Sequence, residues 1–206
     1  MNGKIASVIW QAKNTLYLLI RLEQEMSISP GTFVNLTYKG TTRSYTCCNF
    51  QPTDTLELFI KLKEGGEMSG KLESAMVGEP VEVEGPFREP PVEGKRLLLI
   101  AGGSGLAAFI PYVRENELRG ERDIVLFVSS KRLVEVGFLG ELLRLQKSRA
   151  VITLTREEAE GFEHGHITRE MVEKYTDLNR EVYACGSKAF AEAMAKQFEG
   201  AQVFSW

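Results

Sequence analysis

The tract "RLLLIAGGSGLAAF" (residues 96–109) constrains this chain more than any other stretch. An uninterrupted apolar run suits a strand buried on both faces, the habit of parallel sheets packed between helices. "GGSG" then breaks the strand, and a helix-like apolar segment follows at 106–118. Beyond it, strand-like segments at 123–128, 151–154, 181–185 and 201–204 alternate with helix-like segments at 137–146, 168–175 and 188–198. That alternation predicts a doubly wound α/β sheet.

Upstream of residue 96 the rhythm is different. Runs of strand character recur at 4–11, 16–21, 33–38, 44–48, 56–61 and 80–84, separated by the turn signals "SPG", "KG", "PTD" and "EGGEMSG". Six short strands at this spacing predict a small closed antiparallel β-barrel. "GPFREPPVEGK" (85–95) is rich in Pro and Gly and reads as a linker. The expected division is therefore a barrel over 1–92 and an α/β domain over 93–206.

Composition removes several classes. With 206 residues, 43% hydrophobic and 26% charged, the chain can bury a full core without metal or disulfide staples. A net charge of −3 lacks the basic surplus of nucleic-acid binders. No apolar run approaches the roughly 20 residues of a membrane-spanning helix. "MNGKIASVIWQ" has no signal-peptide pattern, so a cytoplasmic location is expected. Cys47, Cys48 and Cys185 are too few for four thiolate ligands. Adjacent residues of a strand face opposite ways, so no bridge is expected between Cys47 and Cys48. His164 and His166 in "HGH" have no third ligand, and no metal site is expected.

Ligands of doubly wound sheets sit at the carboxyl ends of the strands. Two glycine loops fall there. The first holds Gly102, Gly103, Ser104 and Gly105 in a G-x-G-x-x-A pattern ending at Ala108, placed between a strand and a helix. Glycines allow a backbone to approach a pyrophosphate, and a helix start offers free N–H groups. The second, "VYACGSKAFAEAM" (182–194), puts Cys185 and Gly186 at the same sheet edge. In the barrel half, "RSYTCCNF" (43–50) places Arg43 and Tyr45 on one face of a strand and Ser44 and Thr46 on the other. Such a strand either decorates a barrel or holds something flat and charged.

Taken in order, "RSYT", "EGGEMSGKL", "VEVEGPF", "LIAGGSGLA" and "YACGS" resemble the ferredoxin–NADP reductase family over nearly the whole chain. The resemblance implies bound FAD, with FMN as the alternative, and NADPH or NADH as electron donor. It implies that Arg43 binds the flavin phosphate, Tyr45 stacks on the isoalloxazine, and Thr46 offers its hydroxyl near N5, with Ser44 on the same cofactor-binding strand. An arginine forks onto phosphate oxygens and an aromatic ring covers a flat cofactor. Gly66, Met68 and Ser69 in "GGEMSG" would wrap the flavin pyrophosphate. Cys185 and Thr46 would lie near the reacting nicotinamide and flavin atoms, and the terminal Trp206 would stack on the flavin. The chain departs from the family at "GPFR", at Ala108 and at "CGS".

The second strand of the α/β half ends in "FVSSKR", with hydroxyls and cations and no acid. Ser129, Lys131 and Arg132 there favour NADPH, since an acid at this point reads a free ribose hydroxyl pair. The implied activity is hydride transfer from NAD(P)H to bound flavin, then single-electron transfer to a separate carrier: a ferredoxin, a flavodoxin, an oxygenase component or a partner subunit. Two alternatives stand beside it, a reductase of free flavin and a non-catalytic flavin- and nucleotide-sensing subunit.

Overall fold

The structure is a computed structural model and describes residues 1–12 and 14–205. The chain divides into two compact units, the first Met1–Pro91 and the second beginning at Val92. No helix among the described residues is long and apolar enough to cross a membrane.

The first unit is a six-stranded antiparallel sheet with one helix. Its elements are β1 (Asn2–Ala12), β2 (Thr15–Met26), β3 (Thr32–Tyr38), β4 (Thr41–Thr46), β5 (Thr53–Lys61), α1 (Glu67–Glu73) and β6 (Pro80–Arg88). Spatial order is β4-β3-β6-β1-β2-β5. Period-two alternation sends Leu16, Leu18 and Ile20 of β2 and Val34, Leu36 and Tyr38 of β3 into one core. From α1, Met68 and Leu72 join it. Each fully buried aliphatic side chain contributes about 1.5–3 kcal/mol.

The two edge strands, β4 and β5, meet where "CCNF" crosses between them. Cys47 forms an isolated antiparallel bridge with Leu58 of β5. Next, the Cys48 N–H donates to the Glu57 carbonyl at 2.8 Å. Asn49 then acts as a strand with its side chain: its amide nitrogen donates to the Thr55 carbonyl at 3.1 Å and its amide oxygen accepts from the Glu57 N–H at 2.8 Å. The paired cysteines are thus small, fully buried residues at a seam. The sequence-based strand at 44–48 is corrected accordingly: β4 ends at Thr46, and after one last bond from the Cys47 N–H to the Thr32 carbonyl at 2.9 Å the chain passes from β3 to β5. The expected linker also shrinks, since β6 continues through a cis Gly85–Pro86 bond to Arg88, paired with Thr32 of β3.

The second unit is a six-stranded parallel sheet: β7 (Arg96–Gly102), β8 (Asp123–Ser130), β9 (Arg149–Leu154), β10 (Glu163–His164), β11 (Glu181–Gly186) and β12 (Gln202–Ser205). Helices are α2 (Leu106–Arg119), α3 (Leu139–Leu142), α4 (Arg169–Glu173) and α5 (Lys188–Gln197). Strand order β10-β9-β8-β7-β11-β12 turns back between β7 and β11, the switch point where doubly wound sheets take their ligands. Leu97–Ala101 of β7 are wholly buried, as their apolar run requires.

Two expectations are corrected here. The helix expected over 137–146 is the single turn α3, preceded by a 3₁₀ turn at Leu133–Glu135. At the end of the expected span the chain is no longer helical, and the Glu117 carboxylate takes the N–H groups of Gln146, Lys147 and Ser148. The helix expected over 168–175 is α4, with Thr168 as its cap, accepting from the Met171 N–H at 3.1 Å. A strand not expected from the sequence is β10, where Glu163 and His164 pair with Thr153 and Leu154 at the sheet edge.

Candidate functional site

β4 faces the core on one side through Thr41, Arg43 and Tyr45, opposite Tyr38, Leu36 and Val34 of β3. Thr41 is buried, Tyr45 is half-buried against the core, and Arg43 is exposed. Burial pushes the Tyr45 hydroxyl up to about 12, with Arg43 pulling the other way. Arg43 donates to its neighbour's carbonyl, Thr42 O, at 2.7 Å and makes no ion pair among the described residues. A free guanidinium and a partly open aromatic ring therefore share one strand face.

The other face of β4 behaves differently. Ser44 Oγ donates to Asn35 Oδ1 at 2.7 Å, and Asn35 Nδ2 donates to Glu84 at 3.0 Å, a polar rung running across β4, β3 and β6. Thr46 is half-buried on that same face, opposite Phe33, which stacks on Phe87 with ring centres 5.3 Å apart. The structure thus brings Arg43 and Tyr45 together and places Ser44 and Thr46 on the opposite side.

Beside β4 lies α1. Gly66 sits at its N-cap, the Met68 side chain is buried in the core, and Ser69 Oγ accepts from the Lys63 N–H at 2.8 Å while keeping its proton to donate. Gly66 allows this packing: a Cβ would stand 3.0 Å from Lys63 O and 3.1 Å from Ser69 Oγ. What Met68 presents for binding is backbone. A network ties this helix to β4: Lys71 Nζ donates to Lys39 O at 2.8 Å, to Glu67 at 2.9 Å and to the Thr41 hydroxyl, and Thr41 donates to Glu67. Next to it, the Tyr38 hydroxyl and Lys39 hold the Glu79 carboxyl down at about 2.

In the second unit, the switch point is built of backbone. Gly103–Gly105 form one 3₁₀ turn leading into α2. Gly105 lies on the Cys185–Gly186 peptide: a Cβ would overlap the Cys185 carbonyl oxygen and come 2.9 Å from Gly186 N. Gly102, Gly103 and Ser104 remain partly exposed, whereas the Cys185 side chain is wholly buried. Phe190 of α5, which sequence reasoning missed, lies against Gly102 and Gly186, with ring atoms 2.8 Å and 2.7 Å from where their Cβ atoms would be. An aromatic five residues past "CG" was its only signal.

At the carboxyl end of β8, Ser129 is largely buried and lies in register with Gly102 and Thr153. Lys131 and Arg132 follow, both exposed. Arg156, also missed, joins them because its N–H donates to Lys131 O at 3.0 Å. None of the three cations makes an ion pair among the described residues. Two acids lie nearby: Glu157, which accepts from the Leu133 N–H at 2.8 Å, and Glu135, whose N–H donates to the Arg132 carbonyl at 3.0 Å. Trp206 lies outside the described residues. Among the described residues no group of three or more His, Cys, Asp or Glu side chains could hold a metal.

Residues 4–89 match the family model described as an oxidoreductase FAD-binding domain. The electron transfer component of a 2-halobenzoate 1,2-dioxygenase from Burkholderia cepacia is 24% identical over 214 residues, covering 94% of this chain and 62% of that protein. Among solved structures, an Amycolatopsis cytochrome P450 reductase superposes with a TM-score of 0.86 at 24% identity, over all of this chain and 69% of that one. A ferredoxin NADP+ reductase from Neisseria gonorrhoeae, solved with bound FAD and NADP, gives 0.83 at 20% identity, covering 100% and 98%. The chain spans about three fifths of the curated relatives it matches, 62% of each of the first two.

Fold and matched domain together define a class, an oxidoreductase FAD-binding domain built on an antiparallel sheet and followed in sequence by a doubly wound parallel sheet. Within it, residues 4–89 carry the FAD-binding-domain match, and the fold of the chain is that of the solved reductase structures above.

Proposed function

We propose that this protein is an NAD(P)H-dependent flavoprotein oxidoreductase that passes electrons to a separate protein acceptor. The observation that carries this reading is the face of β4, where an unpaired Arg43 guanidinium and a half-open Tyr45 ring stand together within a matched FAD-binding domain. A charge-assisted fork suits a phosphate, and an aromatic face suits a flat ring. FAD fits this set of groups better than FMN, because a second segment for a diphosphate, Gly66 to Ser69, stands beside β4.

Bound flavin accepts two electrons as hydride and can release them one at a time. The chain's own residues bind and orient. Arg43 would hold the flavin phosphate, Tyr45 would cover the ring, Thr46 would offer its hydroxyl near N5, and Gly66, Met68 and Ser69 would line the pyrophosphate. Ser44 supports this strand through Asn35 rather than through the cofactor. In the second unit, Gly102, Gly103, Ser104 and Gly105 would receive the nicotinamide dinucleotide's pyrophosphate. Cys185 and Gly186 bound the nicotinamide end, with the buried thiol acting as packing and the backbone as contact. Ser129, Lys131 and Arg132, joined by Arg156, favour NADPH over NADH, since three unpaired cations suit a 2′-phosphate. Positioning of this kind needs no general acid or base for the hydride step.

The acceptor is a one-electron carrier or partner subunit such as an oxygenase component, a reading supported by relatives named as electron transfer components and reductase subunits. On this reading the protein works in the cytoplasm, where its three cysteines, none in a disulfide, stay reduced.

The test is an absorption spectrum of the purified protein, followed by anaerobic addition of NADPH and then NADH. A flavin spectrum bleached by NADPH at lower concentration than NADH is expected. A protein that binds no added FAD or FMN and oxidises neither nucleotide would reject the reading.

A further inference from the structure

Glu67 puts a carboxylate beside the one strand face that, on the reading above, must receive a phosphate. It lies on α1, and its side chain is bonded to Thr41, two residues from Arg43 on the same face of β4. Arg43 is close enough that its charge helps hold the Glu67 carboxyl below the usual carboxylate range, after the larger effects of the Thr41 hydroxyl and Lys71. An arginine and a glutamate so placed would ordinarily pair, and a paired guanidinium has fewer donors left for a phosphate. Here they do not pair: Glu67 is taken by Thr41 and by Lys71 at 2.9 Å, and Arg43 has no carboxylate partner among the described residues. The holders are themselves fixed. Thr41 is buried, and Lys71 spends a further donor on Lys39 O at 2.8 Å, anchoring the ammonium to the β3–β4 turn.

We propose that Lys71 and Thr41 are positioning residues for flavin binding, which hold Glu67 turned away from Arg43 and so keep the Arg43 guanidinium free for the cofactor's phosphate. The inference rests on the flavin reading and adds a mechanism to it. Neither residue need touch the cofactor. Their effect on affinity runs entirely through Glu67, which separates this mechanism from direct contact and from simple support of the fold.

The experiment measures FAD dissociation constants on apoprotein of the whole chain, by flavin fluorescence, for the wild type and five variants. Lys71→Met is expected to weaken FAD binding about tenfold or more, the scale of one charge-assisted hydrogen bond. Lys71→Arg, which keeps a donor cation, should stay within about threefold of wild type. Lys71→Met combined with Glu67→Gln should return to within about threefold of Glu67→Gln alone, because no competing charge remains. Thr41→Val, nearly isosteric, should weaken binding in the same direction, which keeps the test open if Lys71→Met folds poorly. The inference is overturned if Lys71→Met and Thr41→Val bind FAD like wild type, or if the double variant stays as weak as Lys71→Met. Wild-type protein that binds no FAD would overturn the flavin reading itself, and this inference with it.

Discussion

On the proposed reading, the two units would receive anions by opposite means. On β4 the work is done by side chains, Arg43 and Tyr45, standing on a strand whose backbone is committed to β3. At the switch point it is done by the absence of side chains, with Gly105 pressed on the Cys185–Gly186 peptide and Gly102 on the Phe190 ring. A side-chain site tolerates backbone motion and fails when one group is removed. A backbone site has no group to remove and fails when one is added.

That contrast breaks most sharply at Gly105. Its backbone is ordinary right-handed, so only space forbids a larger residue. Gly105→Ala drives a methyl into the Cys185 carbonyl and should cost about 3 kcal/mol or more by forcing β7 and β11 apart. Thermal melting should show the loss, and nicotinamide oxidation should fall with it. An unchanged melting temperature would mean the two loops do not meet.

Removing a group from β4 should have a smaller and more selective effect. Arg43→Ala should weaken flavin retention by on the order of 1.5–3 kcal/mol while leaving apoprotein melting nearly unchanged, since the side chain is exposed and unpaired. Flavin titration beside calorimetry separates the two quantities. Undiminished flavin affinity would move the phosphate elsewhere.

The smallest expected effect tests how α1 and the β3–β4 turn are held. The Glu79 carboxyl is lowered to about 2 by the Tyr38 hydroxyl, then Lys39 and the Met76 N–H. A folded-state value below the unfolded one means the stabilisation is present above about pH 4.5 and is lost as pH falls toward about 2. Melting temperature should therefore decline across that window, and Glu79→Gln should flatten the decline. A variant whose acid profile parallels wild type would show that other carboxylates set it.

How far the sequence revealed these features follows the same division. "RSYT" was legible because alternation alone puts Arg43 and Tyr45 on one face, and the structure agrees. The strand-to-helix setting of "AGGSGLA" was equally plain. Other features were not legible because they depend on partners distant in sequence. Glu117 holds the non-helical turn at 146–148, Asn49 serves as a strand through its side chain, and Arg156 reaches Lys131 only once β8 and β9 pair. The same holds for Glu67: its charge is visible in "GGEMSG", but whether it meets Arg43 or Lys71 depends on how α1 lies against β4.

Strand order also carries a consequence for how the protein is born. All six strands of the first sheet lie before residue 91, so that sheet can close while the second is still being synthesised. β7 emerges soon after, but its neighbour β11 arrives only with residues 181–186, after β8, β9 and β10. Gly105 thus waits for the peptide it must rest on. Long-range parallel pairing of this kind is slow, because a large loop must close before any contact rewards it. The face of β4 can therefore be complete before the Gly105 loop of the second sheet has its neighbour.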